Sequence, residues 1–121
     1  MALTNYEANK YIDDRIKNNL YIGLLKDDPG YSGDASSEVT AVEYSRQSVV
    51  FLDPTTGKTQ NNSDIEFPIA TSNWGLIKYI ALFDSLTGGN MISYSKLNYD
   101  REVRMADRYT IPVGYNIFEI R

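Results

Sequence analysis

The amino-acid sequence predicts a mainly β fold, an antiparallel β-sandwich or related barrel of about seven strands with one N-terminal α-helix. Three observations support this. Apolar segments of strand length recur along the chain and are separated by stretches rich in Gly, Pro, Asp and Asn. Ten tyrosines accompany four phenylalanines and one tryptophan, and tyrosine favours strands and half-exposed faces. An apolar segment near the middle of the chain is followed by paired glycines, as expected for a β-hairpin.

The centre of the predicted sheet is a hairpin formed by residues 75–84 and 91–96. The first segment is apolar on both alternating faces apart from Lys78, which is typical of a strand covered on both sides. Gly88 and Gly89 accept the positive φ angles that a hairpin turn needs. The returning segment alternates more regularly, which predicts a half-buried strand.

The first predicted element is an α-helix over residues 4–18. Thr4 and Glu7 have the spacing of a capping box, in which each side chain bonds the backbone amide of the other residue. An apolar stripe at every fourth position consists of Ala8, Ile12 and Ile16. We expect this stripe to dock on the sheet of the same chain, with a neighbouring subunit as the alternative.

The β domain is expected to cover residues 20–121, so that the whole chain forms a single domain. Beside the hairpin, strands are expected at 20–25, 38–52 (surest at 47–52), 65–67, 109–113 and 115–120. In the first of them, Gly23 would allow a close backbone approach. A turn and a polar segment fill residues 53–64. The charge-rich residues 97–108 are expected to form an exposed edge strand whose charges oppose edge-to-edge pairing, with a turn at residues 105–108.

Composition excludes several classes of function. The net charge is -4 and no basic stripe is present, so nucleic acid is not an expected partner. The absence of cysteine and histidine removes thiolate chemistry, the commonest general base and the commonest metal ligand. Without a nucleophile elbow or a specific carboxylate pair, neither enzymatic activity nor a cofactor is expected. The chain has no signal sequence and no apolar run of membrane-spanning length, so we expect synthesis in the cytoplasm and no membrane partner.

Four local patterns have a chemical and a structural interpretation, and we favour the structural one in each case. The acidic loop over residues 26–37 lacks EF-hand spacing and is expected to be solvated rather than to bind calcium. The G-K-T string at 57–59 lacks the upstream glycine of a phosphate-binding loop. Asn61 begins a glycosylation triplet, which means nothing without a secretion signal. Trp74 is expected to be a core residue, with a sugar-stacking platform as the alternative.

A series of short motifs runs in order along nearly the whole chain. They are LTNYE at 3–7, LYIGLL at 20–25, Asp-Pro at 28–29, Glu-Val at 38–39, YSRQSVVF at 44–51, Asn-Ser at 62–63, IEFP at 65–68, ATSNWG at 70–75, ALFD at 81–84 and TGGN at 87–90. Together they resemble a family of small virion proteins of tailed bacteriophages, commonly described as tail or tail-fibre proteins, and the last two motifs are the most specific. Residues 99–108 are more charged than the family pattern, and the acidic loop over 27–34 is particular to this chain.

The resemblance implies a non-enzymatic structural protein of the virion. Its expected location is the tail, the baseplate or the fibre attachment, with the neck, collar or head surface as alternatives. The implied partners are further copies of the chain and other virion proteins. Candidate interface residues, for which a solvated edge is the alternative, are Arg101, Glu102, Arg104, Asp107 and Arg108. A second class of hypothesis is a carbohydrate-binding β-sandwich that contacts a host-surface glycan through Trp74 and the tyrosines.

Overall fold

The computed structural model describes residues 1–17 and 19–119. An α-helix, α1, spans Asn5–Tyr11 and is followed by a π-helical segment at Ile12–Ile16. Eight strands follow among the described residues: β1 Leu20–Leu25, β2 Gln47–Val49, β3 Lys58–Gln60, β4 Ile65–Glu66, β5 Gly75–Phe83, β6 Met91–Val103, β7 Thr110–Ile111 and β8 Ile117–Glu119. Every strand pair is antiparallel, so the predicted mainly β fold with one N-terminal helix is confirmed.

The strands form one four-stranded sheet and two smaller sheets. The large sheet has the order β2-β1-β5-β6, while β3 pairs with β8 and β4 pairs with β7. One face of the large sheet packs into the main core, to which the small sheets also contribute. This core includes Leu20, Ile22, Leu24, Val49, Ile65, Phe67, Trp74, Ile77, Leu82, Val103, Tyr109 and Ile111. Because Trp74 is 2% exposed, its predicted place in the core is confirmed.

The N-terminal helix docks on the core of its own chain, as expected. Thr4 caps it by accepting a hydrogen bond from the backbone amide three residues on, at 3.4 Å. Ile12 and Ile16 are completely buried in the main core. The regular α-helix is shorter than predicted because the chain winds into the wider π-helix, in which the amide of Lys17 bonds the carbonyl of Ile12 at 2.9 Å. The predicted helix end at residue 18 lies outside the described residues.

The predicted central hairpin is confirmed as the pair β5 and β6. Gly88 and Gly89 in its turn have φ angles of 60° and 68°, a left-handed conformation that glycine adopts without strain. β6 continues to Val103, so residues 97–103 of the separate strand predicted over 97–108 are instead the second half of β6, and the predicted turn follows at residues 105–106. This half lies at the edge of the sheet, as expected. No Gly or Pro interrupts residues 91–103, which explains why the strand does not end where we predicted.

A β-bulge divides β6 into two halves. Ile77 lies opposite Arg101, whereas Tyr79 lies opposite Lys96, so the interval spans five residues on β6 but two on β5. The described register gives residues 97–100 no partner on β5. This part of the strand therefore bows out of the ladder.

The extents of the remaining strands differ from prediction. The segment predicted over 38–52 contains a strand only at β2, and residues 38–46 form a loop. The polar β3 was missed because polar residues give no apolar alternation; it becomes a strand by pairing with β8. The strands predicted at 65–67, 109–113 and 115–120 shorten to β4, β7 and β8, and residue 120 lies outside the described residues.

Candidate assembly surface

A nearly buried ion pair attaches the loop over residues 38–46 to the β5–β6 turn. Arg46, 7% exposed, binds Glu38 through two hydrogen bonds of 2.9 Å. Its third nitrogen donates to the backbone carbonyls of Ser85 at 2.9 Å and Gly88 at 2.8 Å. Because charge-assisted bonds of this bidentate kind are strong and directional, they fix the position of the hairpin turn.

The ion pair packs closely against the large sheet at Gly23. A Cβ atom at this position would lie 2.8 Å from Glu38 Oε2 and 2.8 Å from the ring of Phe83, so the predicted close approach at Gly23 is confirmed. The hydroxyl of Tyr44 donates a hydrogen bond to Glu38 at 2.7 Å and accepts one from the backbone amide of Leu24 at 2.9 Å. It thus bonds a β1 amide beyond Ile22, where the pairing with β2 ends. Burial, together with the bond to Glu38, raises the pKa of Tyr44.

A second carboxylate orders the segment that leads into β5. Glu43 Oε1 accepts hydrogen bonds of 3.0 Å from the indole of Trp74, the amide of Thr71 and the hydroxyl of Ser72. These bonds, first of all the one from Trp74, lower the pKa of Glu43 to about 2. This shifted carboxylate therefore serves to hold a loop, and it needs no catalytic explanation.

The Arg46–Glu38 anchor joins motifs that are far apart in the sequence. Residues 23, 38, 44, 46, 74, 83 and 88 all lie within the motifs that carry the family resemblance. Those motifs meet around one hairpin because their side chains and carbonyls bond each other there. The motifs thus build the framework that presents β6 at the edge of the sheet.

The five predicted interface residues are all exposed and lie at or just beyond the end of β6. Arg104 pairs with Glu102 at 3.0 Å, and its amide donates to Asp107 at 2.9 Å. Arg108 instead pairs with a carboxylate on β4, at 3.2 Å. Arg101 lies on the core-facing side, with its guanidinium 5.7 Å from an aromatic ring centroid. The structure therefore brings three of them together and separates the other two.

A tyrosine–aspartate cluster, consisting of Asp28, Tyr31, Tyr79 and Tyr94, lies near the opposite end of β6. The rings of Tyr79 and Tyr94 are 6.3 Å apart, and Tyr31 is fully exposed beside them. Partial burial raises the pKa of both ring hydroxyls, and the charge of Asp28 adds to the shift. An open cleft of about 440 Å³ runs between Tyr31, Met91 and Tyr94. Sequence reasoning noticed the number of tyrosines and the acidic loop but not their meeting, because the contact depends on the fold of the loop.

The other patterns singled out in the sequence have structural roles. Asp28 and Asp34 each accept a hydrogen bond from the amide two residues on, at 2.8 and 2.9 Å, and so order their own loop. Among the described residues no group of three or more His, Cys, Asp and Glu side chains is placed to hold a metal. Asn61 is buried and donates to two backbone carbonyls, at 2.9 and 3.0 Å. No helix in the described ranges is long and apolar enough to cross a membrane.

The fold and the exposed edge define a class: a small β-rich structural module with loops fixed from within and a polar strand edge on its surface. The family model for podophage GP4 fiber I protein gp80 matches residues 2–118. The chain therefore belongs to this family of phage fibre proteins, and the resemblance seen in the sequence is confirmed. A comparison with curated proteins found none that matches.

Proposed function

We propose that the protein is a non-enzymatic structural component of a tailed-phage virion, where it forms part of a tail fibre or attaches a fibre to the tail or baseplate. The observation that carries the proposal is the family match, which spans residues 2–118. The side-chain chemistry agrees with a structural role. The carboxylate and the hydroxyl with the largest pKa shifts, Glu43 and Tyr44, are both engaged in holding loops.

The protein would act through contacts with further copies of itself and with other virion proteins. The proposed contact surface includes Arg101, Glu102, Arg104, Asp107 and Arg108. All five are exposed, and the ion pairs that they make within the chain lie at the surface. Exposed pairs of this kind are weak, so a partner can replace them at little cost.

Binding of a host glycan is not part of the proposal. The sugar-binding hypothesis was based on Trp74 and the tyrosines, and Trp74 is 2% exposed with its indole nitrogen donating to Glu43. A stacking platform needs a free ring face, which a buried tryptophan does not offer.

Localisation in the native particle tests the proposed function. Mass spectrometry of purified virions should detect the protein, and gold-labelled antibodies should bind at the tail or its fibres in electron micrographs. A label at the neck, collar or head surface would move the protein to one of those sites. Absence from intact, infectious virions would overturn the proposal, and a non-structural protein of the same phage provides the negative control.

A further inference from the structure

We infer that a second copy of this chain adds to the outward edge of β6 in antiparallel orientation, so that one continuous sheet runs through a two-fold symmetric dimer. The inference rests on the proposed function, because it names a contact through which copies would assemble. It combines four features of the described residues: a long unpaired edge, unlike chemistry at the two ends of that edge, a bulge at its centre, and side chains on one face.

The edge of β6 is long enough to accept a strand. β6 has 13 residues, is the last strand of the large sheet and pairs with β5 on one side. In the described parts of the chain no strand lies on its other side. An edge of this kind offers a row of backbone donors and acceptors, which an added strand satisfies by extending the sheet.

The chemistry of the two ends selects antiparallel addition. One end adjoins the tyrosine–aspartate cluster, and just beyond the other end Arg104 pairs with Glu102 of β6 at 3.0 Å. Parallel addition would place the arginine ends of the two copies side by side. Antiparallel addition places each arginine beside the aromatic rings and Asp28 of the other copy, where a guanidinium both stacks on rings and pairs with a carboxylate.

One register matches the charges along the strand. When Tyr99 of each copy lies on the two-fold axis, Lys96 is opposite Glu102 of the other copy, and Tyr94 is opposite Arg104. Tyr94, Lys96 and Glu102 lie opposite Ala81, Tyr79 and Leu76 of β5. Ile77, Ile80 and Leu82 of β5 face the main core, so the three pairs lie on the other face of the sheet. Moving the axis by one residue to Asp100 would instead place two aspartates together. Opposite charges across a strand pair are favourable, and like charges are not.

The bulge makes the edge selective for its own copy. Bulges and charges are the devices by which proteins prevent indiscriminate pairing of edge strands. A partner strand has to carry a matching bulge and complementary charges, and a second β6 has both by symmetry. Tyr99 is 83% exposed at the crest of the bulge, where the two copies would meet.

A cysteine cross-link tests the position of the axis directly. The chain has no native cysteine, so a disulfide between two protein chains of the Tyr99→Cys variant can form only between the two residues 99. Directly opposite residues of antiparallel strands have Cα atoms about 5 Å apart, within the range of a disulfide. We expect a covalent dimer in oxidised glutathione. The control is Tyr6→Cys, on α1, a residue 73% exposed and away from β6, which should form no covalent dimer. Equal cross-linking at both positions, or none at position 99, would overturn the inference.

A charge exchange on the cysteine-free chain tests the register independently. In sedimentation velocity over a concentration series, Lys96→Glu and Glu102→Lys should each raise the dimer dissociation constant at least about tenfold, because each places like charges opposite one another. The double variant should restore dimerisation. Lys10→Glu, on α1, makes the same charge change elsewhere and should have no effect. A monomeric wild-type protein at every concentration, or a double variant as weak as the single ones, contradicts the register.

The outcomes separate this inference from the proposed function. A protein that is present in virions but forms no dimer through β6 refutes the inference and leaves the proposed function intact. A protein that dimerises through β6 but is absent from virions refutes the proposed function and leaves the contact intact.

Discussion

The loop anchors beneath the β5–β6 hairpin and the outer edge of β6 contain the same residue types under opposite conditions. Inside, the side chains of Arg46 and Glu38 are 7% and 15% exposed and bond each other twice. At the edge, those of Arg104 and Glu102 are 69% and 52% exposed. A buried charge without its partner is very costly, whereas an exposed pair contributes at most about 1 kcal/mol. The buried pair therefore stabilises the fold, whereas the exposed pair can be broken at little cost.

The family motifs follow the same division. Several motifs meet at the Arg46–Glu38 anchor, whereas the two segments that depart from the family pattern, 27–34 and 99–108, lie near the two ends of β6. Side chains that hold loops to the sheet tolerate little change, because each one satisfies several buried groups. Exposed segments can vary without loss of stability. The residues that hold the loops to the sheet therefore lie in the motifs, and the two segments that differ lie on the surface near β6.

The largest effect is expected from Arg46→Ala. This change leaves the Glu38 carboxylate nearly buried without its ion-pair partner and removes the bonds to two carbonyls of the hairpin turn. The free energy of unfolding should fall by about 3–5 kcal/mol, measured by chemical denaturation. The matched control, Arg104→Ala, should lower it by less than about 1 kcal/mol. Equal losses in the two variants would remove the distinction between interior and edge.

A smaller loss is expected from Gly23→Ala, because the new methyl group would overlap Glu38 Oε2 and the Phe83 ring, each 2.8 Å away. Overpacking of this kind costs about 1–3 kcal/mol in unfolding free energy. Thermal and denaturant unfolding measure the loss. Ser95→Ala, at an exposed position of β6, is the control and should be nearly neutral. A neutral Gly23→Ala would show that the anchor can shift away from the sheet.

The pH dependence of Glu43 tests the second anchor. Its pKa in the folded protein, about 2, is below the ordinary value of 4.5. The ionised carboxylate therefore stabilises the fold above about pH 4.5, and this contribution is lost as the pH falls towards 2. NMR titration of the Glu43 carboxyl carbon should give the low pKa in the native protein. Trp74→Phe removes the first hydrogen-bond donor and should raise it; an unchanged value would mean that the indole is not the main cause.

Sequence reasoning predicted the elements whose signal is local. The capped helix, β1 and the glycine turn of the hairpin follow from residue spacing, and the structure contains all three. It missed the polar β3, which is a strand only because β8 lies beside it. Sequence reasoning also divided β6 into two strands. That they form one strand interrupted by a bulge follows only from the pairing with β5, which resumes at Arg101. The tyrosine–aspartate cluster was not predictable for the same reason: its members are joined by the path of a loop rather than by spacing.

The smallest effect is expected from Arg108→Ala. Arg108 lies 3.2 Å from Glu66, but their side chains are 45% and 56% exposed, so water and salt screen the pair. The free energy of unfolding should change by less than about 0.5 kcal/mol, and the difference from wild type should vanish in high salt. Denaturant unfolding at two salt concentrations measures this. A loss above about 1 kcal/mol that persists in high salt would mean that these charges hold β4 in the fold. A partner could not then replace this pair at little cost, because the pair would stabilise the fold as the buried Arg46–Glu38 pair does.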